Sequence, residues 1–251
     1  MSGLSVIVIV KDAAKNIQRC LESVKWADEI IILDSGSQDN TMEICQQYTQ
    51  NIFSTDWPGF GIQKNRALDK AQCKWVLSID ADETLSTDLI EEIKQIICKA
   101  EDQHDAYAIK RVSFFCGRKI RYGDWSRDKV VRLFCRLPSI QFTPVIIHEK
   151  LKGYLNPGHL KGVIFHDTMQ TISQVLVKIE HYSSFTAEKS YQQHKKSSIL
   201  KAILHAKWCF IRGYLLRLGF LDGREGFILA VSNALGVFYR YVKLIYLYEL
   251  G

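Results

Sequence analysis

The chain has 251 residues, 47% of them hydrophobic and 24% charged, with only 4 Pro and 15 Gly. That composition can bury a large core and excludes a disordered, collagen-like or low-complexity protein. Lys and Arg exceed Asp and Glu by 33 − 27 = 6, but no basic run is longer than Lys195-Lys196. No nucleic acid is therefore expected as a partner, and acidic small substrates or an anionic membrane surface suit the excess better.

Leu4–Val10 is a continuous β-branched run, the pattern of a strand buried on both faces. Met1–Val10 carries no basic n-region or cleavage-site pattern, so a strand rather than a signal peptide is expected there. Ala14, Ile17, Leu21 and Val24 then recur at helical spacing, and Glu29–Leu33 predicts a second buried strand ending at Asp34-Ser35-Gly36-Ser37. A helix is expected from Asn40 to Tyr48, a short strand at Ile52-Phe53, and a loop and helix over Gly59–Ala71. Trp75–Ile79 predicts a fourth strand running into Asp80-Ala81-Asp82-Glu83, and Leu89, Ile90, Ile93, Ile96 and Ile97 line the next helix.

Alternating strands and helices argue for an α/β fold with a largely parallel sheet, in which ligands collect beyond the carboxyl ends of the strands. The polar clusters after Val10, Leu33 and Ile79 all fall at that edge. From Ala106 the pattern shortens to β-like runs at 106–109, 112–115, 130–134 and 145–147, and from Thr171 it is helical to the end. Seven Cys at irregular spacing, without a CxxC pair, point to reduced thiols in a cytosolic protein rather than disulfides or structural zinc.

Asp80 and Asp82, two residues apart at a strand end, can share a hard divalent cation, Mg²⁺ or Mn²⁺, which in turn can bridge nucleotide phosphates. The bland alternative is an acidic turn capping the helix that starts near Ser86. Asp34 heads a second acidic loop, where a carboxylate can accept from ribose hydroxyls or a base edge and Gly36 permits close backbone approach. It also reads as an ordinary strand-to-helix turn. No GxGxxG, Walker loop or Ser-His-Asp pattern competes with a nucleotide site.

Taken in order, Lys11-Asp12, Ala27–Ser37, Trp57-Pro58-Gly59-Phe60-Gly61-Ile62-Gln63-Lys64-Asn65 and Leu77–Glu83 resemble a family 2 glycosyltransferase of the GT-A fold. The likeness continues through Tyr122-Gly123-Asp124-Trp125, Asp128, Arg132-Leu133-Phe134 and His148-Glu149, and is nearest to bacterial lipopolysaccharide core β-1,4-glucosyltransferases. It implies that Asp34 contacts the nucleoside of a UDP-sugar, that Lys11 and Lys64 lie on the nucleotide side, and that Asp82, helped by Asp80, holds the metal on the diphosphate. The pattern departs at Asp12-Ala13, where the family usually has Asn-Glu, at Gln38, which replaces a common Thr, and at Asp124, which stands for a common Gly.

Inverting transfer needs a general base on the acceptor hydroxyl, opposite the leaving diphosphate. Glu149 is the first candidate and Asp128 the second. A strand-end surface pair is the alternative for His148-Glu149, and His148 can also serve as a metal or phosphate ligand. Arg132 is placed on the acceptor side or in a pair with Asp128, Trp125 on a sugar ring or in the core, and His166-Asp167 is a further metal-competent pair.

The expected organisation is a GT-A domain over 1–170 and a helical, membrane-associating region over 171–251. The last 53 residues carry seven Lys/Arg and three Asp/Glu, and Phe227–Leu247 is interrupted by Asn233, Arg240 and Lys243, so a clean membrane span is not expected. The basic amphipathic stretch from Ile199 to Leu218 predicts reversible binding to an anionic leaflet. The reading is a hexosyltransferase at the inner face of the cytoplasmic membrane, using a UDP-sugar and a lipopolysaccharide core or other lipid-linked glycan acceptor. Another surface glycan, a protein acceptor, or a silent scaffold on the same fold are the alternatives.

Overall fold

The computed structural model describes residues 3–99, 103–145 and 149–250. The chain divides into two compact units, one comprising residues up to Arg111 together with Lys129–His166, the other Val112–Asp128 and Asp167 onward.

The first unit alternates strands and helices as its hydrophobic periods dictate. In order come β1 (Leu4–Val10), α1 (Ala14–Val24), β2 (Glu29–Asp34), α2 (Thr41–Cys45), β3 (Ile52–Ser54), α3 (Phe60–Leu68), β4 (Trp75–Asp80), β5 (Glu83–Leu85) and α4 (Thr87–Ile97). Then follow β6 (Ala106–Phe115), β7 (Arg118–Lys119), β8 (Lys129–Cys135), β9 (Gln141–Phe142), β10 (Leu151–Lys152) and β11 (Pro157–Met169). The strands β6 and β11 run on past Arg111 and His166 into the second unit, which also contains β7.

The main sheet has the order β3-β2-β1-β4-β8-β6-β11-β5, with β1 central between its parallel neighbours β2 and β4. All seven residues of β1 are buried, as expected of a strand covered on both faces. One side of the sheet packs on α1 and α4 through Ile17, Leu21, Leu89 and Ile93, the other on Ala67, Leu68 and Phe142. The strands β8, β5 and β7 join antiparallel, so the sheet is mixed.

Several boundaries differ from the sequence expectation. The helix expected over Asn40–Tyr48 is the short α2, because no apolar stripe extends it. The runs at 106–109 and 112–115 form the single strand β6, with a register shift between Tyr107 and Ala108. Val145 lies outside any strand, and the rest of the expected 145–147 strand lies outside the described residues.

The second unit contains α5 (Ile172–Gln192), α6 (Ile199–Phe210), a π-helical turn (Ile211–Leu216) and α7 (Gly223–Leu250). Thr171 and Gln174 close a reciprocal capping box at the start of α5. Both α5 and α6 pack on α7, and Lys243 of α7 donates to the Glu180 carbonyl and the Ser184 hydroxyl of α5 at 3.0 and 2.6 Å. The segment Gly219–Glu249 is, by length and composition, long and apolar enough to cross a membrane. The polar interruptions at Asn233, Arg240 and Lys243 do not remove that capacity.

Candidate active site

Parallel register brings the three polar loops of the first unit to one edge. Val10 pairs with Asp34 across β1 and β2, and Ile9 pairs with Asp80 across β1 and β4. The loops after these strands therefore emerge side by side at the carboxyl edge.

The first two loops lock together. Asp34, 4% exposed, accepts from the Gly36 N–H at 3.0 Å, the Ser37 N–H at 3.2 Å and the Ser37 hydroxyl at 2.6 Å. These bonds use both carboxylate oxygens. Ser37 Oγ accepts from the Asp12 N–H at 2.9 Å, and the Asp12 carboxylate accepts from the Gln38 N–H at 2.7 Å. Gly36 sits at φ +87° with open space where a Cβ would be, so its backbone is accessible to a ligand. Lys11 is exposed beside this loop.

The second group is built on α3. Asn65 pairs with the Phe142 backbone, donating at 2.9 Å and accepting at 2.8 Å, and this pins the helix to β9. Gly61 makes the approach possible, since a Cβ there would lie 1.9 Å from the Thr143 carbonyl oxygen. Lys64 is thereby buried at 2% exposure. Its ammonium lies 2.6 Å from Glu149 Oε1 and 2.9 Å from Asp80 Oδ1, and 5.7 Å from the Phe142 ring centroid.

The other Asp80 oxygen pairs with the Arg132 guanidinium, which is also 3.0 Å from Glu83 Oε1. Glu83 is fully buried; it accepts from Arg111 at 3.2 Å and from the Asp80 N–H at 3.0 Å. Glu149, Lys64, Asp80, Arg132, Glu83 and Arg111 thus alternate in sign, three negative and three positive, which is how charges tolerate removal from water. Burial works against ionised Asp80, but Arg132 and Lys64 together prevail and hold its carboxyl well below the usual carboxylate range. Burial likewise opposes the Arg132 charge, while Asp80 and Glu83 push its pKa further up. Cys20, buried beneath this turn, donates its thiol to the Asp80 carbonyl at 3.5 Å. Burial first, then Glu83, Asp82 and Asp80, push that thiol far up, so it stays neutral.

Asp82 stands apart from the network. Its Oδ2 lies 3.2 Å from His166 Nε2, while His166 Nδ1 is buried without a hydrogen-bond partner. Among the described residues no group of three or more His, Cys, Asp or Glu converges on one point. An Mg²⁺ that bridges a nucleotide typically takes only one or two carboxylates from the protein, and carboxylate and water oxygens suit Mn²⁺ equally. The Asp82 carboxylate, with His166 beside it, fits such a cation; Asp80, with both oxygens held by cationic side chains, offers less.

Arg132, expected on the acceptor side or against Asp128, pairs with Asp80 and Glu83. Arg132 lies on β8 beside β4, where Asp80 and Glu83 supply the negative charge its burial requires. Asp128 and Trp125 belong to the second unit, where Trp125 packs edge-on to Phe115 with ring centroids 6.0 Å apart. His148 lies outside the described residues. Neither Glu83 nor Arg111 stands out as functional in the sequence. Glu83 adjoins the Asp80-Ala81-Asp82 signal, whereas nothing local marks Arg111, which meets Glu83 only through the sheet.

Comparison with known proteins gives the family and the fold. Residues 5–159 match the profile of the family described as Glycosyl transferase family 2. The chain is 30% identical to an uncharacterized glycosyltransferase of Rickettsia prowazekii (strain Madrid E) over 97% of its own length and 87% of that protein. It is 26% identical to the lipopolysaccharide core biosynthesis glycosyltransferase LpsC of Rhizobium meliloti (strain 1021), over 96% and 91% of the two chains. Among solved structures, TarS 1-349 of S. aureus superposes with a TM-score of 0.50 at 17% identity, covering 99% of this chain and 92% of that one. The mixed sheet with its flanking helices is the GT-A fold. The chain is a member of glycosyl transferase family 2.

Proposed function

We propose that this chain is an inverting hexosyltransferase that moves glucose from a UDP-sugar onto a lipopolysaccharide core sugar, a heptose, at the inner face of the cytoplasmic membrane. The observation that carries the reading is the buried Lys64 between Asp80 and Glu149 at the carboxyl edge of a family 2 sheet. The printed name of the LpsC relative supports a core acceptor, and the TarS 1-349 complex with UDP-GlcNAc, of the same fold at a TM-score of 0.50, supports a UDP-sugar donor.

In this reading the Asp34–Ser37 loop presents its backbone, with Lys11 beside it, to the nucleoside. Lys64 and Arg132 supply positive charge at the edge where the diphosphate would lie, and Asp82 with His166 would hold a divalent cation. When bound, Mg²⁺ or Mn²⁺ would neutralise charge developing on the leaving diphosphate. Glu149, beside Lys64, takes the acceptor hydroxyl proton as that oxygen bonds to the anomeric carbon. The bond from this carbon to the diphosphate oxygen breaks on the opposite face, and the configuration inverts. Asp128 is the second candidate for the base.

The test is hydrolysis of a panel including UDP-glucose, UDP-GlcNAc and UDP-galactose, with Mn²⁺ or with EDTA. Mass spectrometry then follows transfer to core oligosaccharide ending in inner-core heptose. Metal-dependent UDP-glucose turnover with a mass gain of one hexose is expected. UDP binding without turnover of any sugar would instead make the chain a silent scaffold.

A further inference from the structure

The outer face of α6 is apolar and its inner face is made of small residues. Its buried positions are Ala202 and Cys209, while Leu200, Leu204 and Trp208, spaced i, i+4, i+8, are 66%, 56% and 53% exposed. Ile199 and Ile203, at 53% and 49%, form the adjoining row. The following turns add Leu215, Leu216, Leu218, Phe220 and Leu221, all between 44% and 61% exposed. Inward, the close contacts are made by glycines: a Cβ on Gly219 would lie 2.6 Å from the Gly213 carbonyl oxygen, and one on Gly226 would lie 2.0 Å from that of Gly219. Water-soluble helices turn large apolar side chains inward. Small residues between helices and large apolar ones outside is the arrangement of helices solvated by lipid. The helix α7, against which α6 packs, shares the trait, with only 17% of its most apolar window buried.

Charge identifies the kind of lipid. No acidic residue occurs between Glu188 and Asp222, whereas Lys195, Lys196, Lys201 and Lys207 are all exposed. Arg212 and Arg217 share the single carboxylate of Asp124, at 2.8 and 2.6 Å, so this group keeps one positive charge and adds to that of the lysines. Trp208 lies among them, and indole rings favour the boundary between headgroups and acyl chains.

We propose that Ile199–Leu221 is a monotopic insertion surface: its apolar side chains enter the acyl boundary of an anionic bilayer, with the four lysines at headgroup level. This deepens the membrane assignment made above, on which it rests, by replacing salt-sensitive surface attraction with burial of apolar side chains. Interfacial helices sink about 5–10 Å into the headgroup and acyl boundary, and charge screening does not reverse that burial.

Flotation of the full chain with vesicles of phosphatidylcholine and phosphatidylglycerol, at 0.1 M and 1 M NaCl, tests the proposal. Binding is expected to persist at 1 M salt, and Leu200→Glu with Leu204→Glu is expected to weaken it at least tenfold without changing UDP-glucose hydrolysis. Vesicles with brominated acyl chains provide a readout that needs no folded double variant: they should quench the wild-type tryptophan emission, and Trp208→Phe should lose most of that quenching. Binding that vanishes at 1 M salt, without acyl-chain quenching, would overturn insertion while leaving a peripheral protein. No binding at either salt would overturn both. A vesicle-indifferent dimer that the Leu→Glu pair dissociates would make this face an interface between copies of the chain, and would also overturn the proposal.

Discussion

Lys64 is buried between two carboxylates, and that makes it the most consequential single side chain of the first unit. Lys64→Met keeps the side-chain length but leaves Asp80 and Glu149 without the cation between them. UDP-sugar turnover is expected to fall on the order of 10²-fold, measured by UDP release. Glu149→Gln retains shape and hydrogen bonding but cannot accept a proton, so transfer should fall about 10²-fold or more while UDP binding by calorimetry stays near wild type. Should that variant transfer normally and Asp128→Asn fail, the base is Asp128. Acid sensitivity follows from Asp80. Its folded pKa lies below its unfolded one, near 3.9, so below about pH 4 the unfolded chain takes up the proton first and stability falls as pH falls. The urea midpoint should therefore decline from pH 5 to pH 3, and Asp80→Asn should flatten that decline. An unchanged slope would mean that Asp80 titrates normally.

At the scale of elements, α3 is placed by contacts that its own helix propensity does not supply. Gly61→Ala would drive a methyl to within 1.9 Å of the Thr143 carbonyl oxygen. Overpacking of this kind costs about 1–3 kcal/mol, and because the same contact positions Lys64, donor turnover should fall with stability. The start of α4 is set by Ser86, whose hydroxyl accepts from the Leu89 N–H at 3.3 Å and from the Val163 N–H of β11 at 3.1 Å. Ser86→Ala should lower the unfolding free energy by about 1 kcal/mol, read from chemical denaturation, without altering the KM for donor. These two variants separate a helix that carries the site from one that only covers the sheet.

At the scale of the molecule, burial sorts the seven cysteines. Cys98 is exposed, whereas Cys20 and Cys45 are fully buried, and burial followed by Asp34 pushes the Cys45 thiol up to about 11. Maleimide at about pH 7.5, below the ordinary thiol pKa, should modify Cys98 within minutes and spare Cys20 and Cys45 until the first unit unfolds, as peptide mass mapping would show. Rapid labelling of Cys20 in folded protein would mean that the turn holding Asp80 opens readily. The helices of the second unit make the opposite point, because much of their apolar surface stays uncovered.

The sequence alone determined the elements of the first unit, since β1, β2 and β4 are buried on both faces and α1 and α4 on one, and each burial pattern leaves its own period in the residues. It also placed Asp34 and Asp80 at strand ends, because hydrophobic runs stop where the sheet edge meets solvent. Tertiary structure decided the partners. Arg111, Arg132 and Glu83 lie on three different strands, and His166 reaches Asp82 from β11, 84 positions along the chain. No local period encodes such meetings, which register and strand order bring about. The sequence showed that α6 is basic and apolar but not which side faces out. Only packing against α7 turned Ala202 and Cys209 inward and left Leu200, Leu204 and Trp208 outside.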